Sequence, residues 1–99
     1  MQYTIKRSGT RIETVLTGRL TFSDATAFPK LIDDATKGAE ACEIDVSALT
    51  FIDSTGLSLF VHIYDQAQAT GQKLVLRGAV GQVKESLKRS NFEMLFEFR

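Results

Sequence analysis

Two hydroxyls and a carboxylate stand side by side in Asp53-Ser54-Thr55, with Gly56 directly after them. Phe51 and Ile52 lead into this group, and an apolar-periodic run beginning at Leu57 follows it. That order sets three polar side chains where a helix begins. The first turn of a helix has unpaired N–H groups and carries a partial positive charge. Asp53 or Ser54 could cap the helix there, an arrangement that typically contributes about 1 kcal/mol. A hydroxyl in the same place could carry a phosphate, and the four residues leave both uses open. Gly56 removes a side chain at a point where the backbone of another protein could come close.

A phosphate on Ser54 would meet two opposing fields. The helix end favours it by about 0.3–1 kcal/mol. A carboxylate about 6 Å away opposes it by ~0.7 kcal/mol per unit charge in water, and by several-fold more near a protein surface. Because a phosphate carries nearly two charges, Asp53 cancels or outweighs the help of the helix. Phosphorylation would therefore leave the fold no stiffer and would act on whatever packs against the neutral hydroxyl. A loss of about 3–4 kcal/mol on burying a phosphate in an interface is a few hundredfold in affinity.

Other chemistry has little support in the residues. Ser54 as an enzymatic nucleophile needs a base and an oxyanion hole, and the Gly-x-Ser-x-Gly elbow is absent. His62 stands alone in its helix, without a second base or nucleophile at helical spacing, so it reads as a packing or surface residue. No cluster of His, Cys and carboxylates has metal-ligand spacing, so neither a metal nor a cofactor is expected. Gly78 and Gly81 do not form a phosphate-cradling loop. Asp33-Asp34 and the stripe Lys84, Lys88, Arg89 read as solvated faces.

The elements that must position the turn follow from periodicity. Tyr3 and Ile5 alternate with Thr4 and Lys6 as a first strand. Ser8-Gly9-Thr10 turns the chain into a second strand, Arg11 to Leu16, ended by Gly18. Ser23 or Asp24 is expected to cap a helix with Ala27, Phe28, Leu31, Ile32 and Ala35 on one face, Pro29 in its first turn and Gly38 past its end. Glu40 to Val46 is a third strand, with Ser47 to Thr50 as a loop. The helix from Ser54 to about Thr70 shows Leu57, Phe60, Val61, Tyr64 and Ala67 at spacings of three and four, and Gly71 stops it. Lys73 to Leu76 makes a fourth strand, and Val80, Val83 and Leu87 mark a third helix. The tail Phe92 to Phe98 can close the sheet as an edge strand, with a dimer contact if that edge is open. A hairpin followed by strand–helix–strand units predicts an α/β fold with a mixed sheet.

With 99 residues the chain is expected to be one domain, 1–99, large enough for a single core. Twelve basic residues balance twelve acidic ones, so no overall field attracts a nucleic acid or an anionic membrane, and neither is expected as a partner. Cys42 is the only cysteine, which excludes an intrachain disulfide and suits a reducing compartment. Its alternation with Ile44 and Val46 reads as a buried, inert thiol. Without a signal or spanning segment in view, a cytoplasmic location is expected.

The run Ile44-Asp45-Val46-Ser47-Ala48-Leu49-Thr50-Phe51-Ile52-Asp53-Ser54-Thr55-Gly56-Leu57 resembles the strand, loop and phosphorylation turn of the STAS family, and specifically of the bacterial anti-sigma-factor antagonists. Thr17-Gly18-Arg19-Leu20, Gly71 to Leu76 and Val83 to Phe92 are similar to other parts of that family, so the likeness covers nearly the whole chain. It implies a single-domain STAS fold, a mixed sheet of four or five strands packed by about three or four helices. It also implies a non-enzymatic partner switch. A GHKL-type serine kinase that is also the anti-sigma factor phosphorylates Ser54, with Thr55 as second choice. A PPM-type phosphatase reverses this, and only the unphosphorylated form binds the kinase and frees its client.

The contact residues carried over by the resemblance are Arg19, Thr21, Phe22, Ser23, Asp24, Asp53, Ser54, Thr55, Gly56, Leu57 and Ser58, in a monomer or weak dimer. Many relatives have an acidic pair where this chain has Arg19 and Thr21. In that respect it looks more like single-domain members whose clients need not be sigma factors. The alternative within the family is a structural subunit of a transporter, of the lipid-transport type, gripping an ATPase without being phosphorylated.

Overall fold

The computed structural model describes all 99 residues. Strand β1 (Gln2–Ser8) returns as β2 (Arg11–Leu20), and a 3-10 segment (Phe22–Ala27) leads into helix α1 (Phe28–Thr36). Then come β3 (Ala41–Ile52), α2 (Ser54–Thr70), β4 (Lys73–Arg77), α3 (Gly81–Arg89), a 3-10 turn (Phe92–Met94) and the short β5 (Glu97–Phe98). The five strands lie in sequence order in one sheet. β1 and β2 are antiparallel; every later pairing is parallel, as crossovers through helices require. The expected single-domain α/β fold is what the chain adopts, with five strands and three α-helices.

Strand alternation sorts the two faces of the sheet. Ile12 and Leu16, Cys42, Ile44 and Val46, and Leu74 and Leu76 pack with residues from all three α-helices in one core. Glu13, Glu43, Asp45 and Arg77 point the other way, and Val75 beside them is the one buried apolar residue outside that core. No helix is long and apolar enough to cross a membrane.

Several elements differ from the periodicity reading. β2 runs through Gly18 to Leu20, and β3 absorbs the expected loop at Ser47 to Thr50. The small and polar residues there mark bulges in a continuing strand. Val15 partners Asp45 but Thr17 partners Ala48, and Gly18 partners Leu49 while Arg19 partners Phe51. The first bulge is held by Asp45, which accepts from the Ser47 N–H at 2.9 Å and its hydroxyl at 2.7 Å. At the second, the Thr50 hydroxyl donates to the Gly18 carbonyl at 3.1 Å. Together the bulges lengthen β3 until it brings Asp53 level with the end of β2.

The helix before β3 is capped differently too. Thr21 caps the 3-10 segment in a capping box with Asp24, while Ser23 caps nothing and α1 itself begins without a side-chain cap. In α2 the buried stripe is Gly56, Leu59, Phe60, Ile63 and Ala67, not the one running through Leu57, Val61 and Tyr64. Both stripes have helical spacing, so periodicity cannot choose between them. The phase is set by the close approach of Gly56 to β2. Val80 is the exposed residue before α3 rather than part of its buried face. In the tail only Glu97 and Phe98 pair with β4, and Phe92 and Phe96 turn into the core.

Candidate functional site

Asp53 leaves β3 in extended conformation, and α2 starts at the next residue. One carboxylate oxygen accepts the Gly56 N–H at 2.8 Å, which is the helix cap. The other accepts the Phe22 N–H at 3.0 Å, and the Asp53 N–H donates to the Leu20 carbonyl at 3.2 Å. One side chain thus closes two chain segments, the exit of β3 and the exit of β2, onto each other.

Gly56 is buried, and a Cβ built on it would lie 2.6 Å from the Leu20 carbonyl oxygen and 2.7 Å from Ile52 Cγ1. The backbone that comes close to it is therefore the chain's own. This contact brings the first turn of α2 against the ends of β2 and β3.

The hydroxyls of the turn are left over. Ser54, the first helical residue, is exposed and its side chain makes no hydrogen bond. Thr55 is half-buried and faces a groove between α1 and α2 of about 700 Å³, whose apolar floor includes Phe28, Pro29 and Ile32. Ser58 lines the same groove and donates its hydroxyl to the Thr55 carbonyl at 2.5 Å. Leu57 is half-buried against the core. His62 and Asp65 stand on the groove rim, and no side-chain base is hydrogen-bonded to Ser54 or Thr55. No group of three or more His, Cys, Asp or Glu side chains is gathered to hold a metal.

The neighbouring β2 exit supplies the rest of the surface. Arg19 is exposed, with its guanidinium carbon 4.3 Å from the centre of the Phe51 ring, its register partner on β3. Such stacking holds the cation in place without neutralising it. Phe22 is 72% exposed beside the Asp53 carboxylate that its N–H reaches. Ser23 is exposed; Thr21 and Asp24 are half-buried and spent on the capping box, and Asp24 also meets the Met1 ammonium at 3.1 Å. The eleven expected contact residues therefore form one neighbourhood in which Thr21, Asp24, Asp53 and Gly56 serve the fold, while Arg19, Phe22, Ser23 and Ser54 face outward.

Two groups take part that sequence reading passed over. Phe51 is the platform for Arg19, and only its pairing with β2 shows this. Gln82, at the start of α3, accepts the Ile52 N–H at 3.0 Å and donates to the Ile52 carbonyl at 2.8 Å. A lone glutamine near a helix start carries no sequence signal for such a contact.

Away from the turn, a cluster of charged side chains on the open sheet face is paired within itself. Arg77 reaches Glu13 at 2.6 Å, Glu43 at 3.2 Å and Asp45 at 3.2 Å, and Arg11 meets Glu43 at 3.0 Å. Burial pushes the Asp45 carboxyl up, but the Ser47 hydroxyl and N–H and the Arg77 guanidinium outweigh it and leave it below its ordinary value. Burial raises the Cys42 thiol to about 11, which keeps it protonated and unreactive at neutral pH.

Residues 2–97 match the family described as Mlab, STAS domain. No curated protein matches the chain in sequence. Among solved structures, it is similar to a Thermotoga maritima protein described as an anti-sigma factor antagonist, with a TM-score of 0.86, 20% identity, and coverage of 97% of this chain and 84% of that one. It is similar to the Bacillus anti-sigma factor antagonist SpoIIAA in its unphosphorylated form, with a TM-score of 0.76, 15% identity, and coverage of 99% and 87%. A sulfate transporter family protein from Wolinella succinogenes shares the fold as well, with a TM-score of 0.76, 20% identity, and coverage of 92% and 78%.

Proposed function

The chain belongs to the STAS family, and from that premise we propose that it is a phosphorylation-controlled binding module, an anti-sigma-factor antagonist in a bacterial partner switch. Its unphosphorylated form binds a GHKL-type serine kinase that is also the anti-sigma factor, and so releases the kinase's client to regulate transcription. The kinase phosphorylates Ser54 and ends the contact; a PPM-type phosphatase restores it. ATP and metal belong to the partners, and this chain is their substrate and ligand in the cytoplasm.

One observation carries the reading: Ser54 is the exposed hydroxyl of the turn and makes no bond within the fold, while Asp53 and Gly56 beside it are fully engaged. A phosphate there can be added and removed without breaking a native hydrogen bond. Its charge then repels partner groups that had packed on Arg19, Phe22 and Ser54. Thr55, turned into the groove, is the poorer substrate. The resemblance to SpoIIAA in fold supports the same reading.

A second reading has its own support, because the fold also occurs in a transporter-family protein. In it the same surface grips a transporter ATPase and Ser54 is never modified.

Intact and peptide mass spectrometry of the protein taken from its native cells separates the two. A phosphate mapped to Ser54, absent from Ser54→Ala, is the expected result. An unmodified chain that co-purifies stoichiometrically with a transporter ATPase would sink the switch.

A further inference from the structure

β4 ends at Arg77, opposite Asp45, so β3 continues from Val46 to Ile52 with no strand on that side. Asp53 gives its N–H to β2, and the pleat therefore turns the N–H and carbonyl of Ile52 towards the vacant side. Ile52 is 1% exposed, where unpaired backbone groups are costly. Both are met by the Gln82 side-chain amide, which accepts from the Ile52 N–H at 3.0 Å and donates to its carbonyl at 2.8 Å. At neutral pH a side-chain amide offers an uncharged donor and acceptor side by side, as a neighbouring strand would. The same nitrogen also lies 3.0 Å from the Ser86 hydroxyl, one turn further along α3.

We infer that Gln82 is a positioning residue for the Asp53-Ser54 turn, a one-residue surrogate strand through which α3 fixes where β3 ends and α2 begins. Taken as a statement about a phosphoacceptor, this rests on the reading of Ser54 given above; taken as a statement about the turn, it does not. The route is short. Ile52 precedes the Asp53 cap, and its Cγ1 is one of the three atoms closing on the Cβ position of Gly56. Gln82 supplies all the side-chain hydrogen bonds between α3 and the sheet. α3 itself starts without a side-chain cap.

Amide hydrogen exchange by NMR on the whole chain, without phosphate or partner, tests this. In Gln82→Met, which keeps the bulk but offers no amide, the Ile52 N–H should exchange on the order of tenfold faster than the change at Ile44 in mid-sheet. The capped Gly56 N–H should speed up several-fold beyond the same reference. Gln82→Glu keeps the shape and the acceptor but lacks the donor at neutral pH, so Ile52 should fall between the wild type and Gln82→Met. A general loss of stability would move Ile44, Ile52 and Gly56 together, and that outcome overturns the inference. If Gln82→Met does not fold, the same comparison in Gln82→Glu decides. Because nothing in the measurement involves phosphate, its failure leaves the Ser54 reading standing, and a missing phosphate in native cells leaves the clamp standing.

Discussion

The sheet face around Arg77 and the turn around Ser54 have opposite characters. The first carries Glu13, Glu43, Asp45, Arg77 and Arg11, the densest ionisable cluster in the molecule, and each member is paired within it. The second holds a free hydroxyl on Ser54, a stacked cation on Arg19 and an exposed ring on Phe22. Saturated charges answer one another and leave little for a partner. Unanswered groups held on a rigid frame are what a partner can use. Richness in chemical groups is thus a poor guide to function here; what the fold leaves unused is a better one.

The contrast can be broken most forcefully at the frame. Gly56→Ala puts a Cβ 2.6 Å from the Leu20 carbonyl and should cost about 1–3 kcal/mol, as overpacking does, visible as a lowered urea midpoint. A neutral result would mean that α2 is free to shift, and that the turn is not rigidly held. Next in size is Glu43→Gln. Its carboxylate is 7% exposed between Arg11 and Arg77, and losing the charge should cost about 1–2 kcal/mol in the same measurement. Asp53→Ala should cost about 1–2 kcal/mol, because it removes the cap of α2 and the bond to Phe22 together.

Acid sharpens the contrast from the other side. Asp45 has a folded-state pKa below its ordinary 3.8, so its contribution is full above that value and is lost as pH falls through the lower folded value. Thermal melts between pH 5 and roughly pH 2 should therefore lose stability mostly below pH 4, and Asp45→Asn should flatten that slope. The smallest effect belongs to the residue of greatest interest. Ser54→Ala should change stability by less than about 0.5 kcal/mol while abolishing phosphate incorporation by the cognate kinase. A large loss of stability would show that the hydroxyl serves the fold after all.

Much of this was legible in the chain itself. The hairpin turn at Gly9, the stop at Gly71 and a cap at Asp53 or Ser54 are written in residue types whose backbone preferences are local. Local chemistry was also enough to single out Asp53-Ser54-Thr55-Gly56. The bulges of β3 were not legible, because Ser47 to Thr50 reads as loop until β2 is laid beside it. The buried stripe of α2 was ambiguous for a similar reason, since Leu57, Leu59, Phe60, Val61, Ile63 and Tyr64 offer two apolar phases.

Residue order alone sets where a helix starts and puts two hydroxyls at its mouth, because capping and periodicity act between residues near in the chain. Packing between elements distant in the chain decided which hydroxyl is idle. Thr55 turns to the α1 groove and Ser54 to solvent because Gly56 can touch Leu20 in only one rotation of α2. It also decided that Gln82, thirty positions away from Ile52, completes the strand before the turn. Contacts of that span depend on how elements pack, and residue types alone do not encode them.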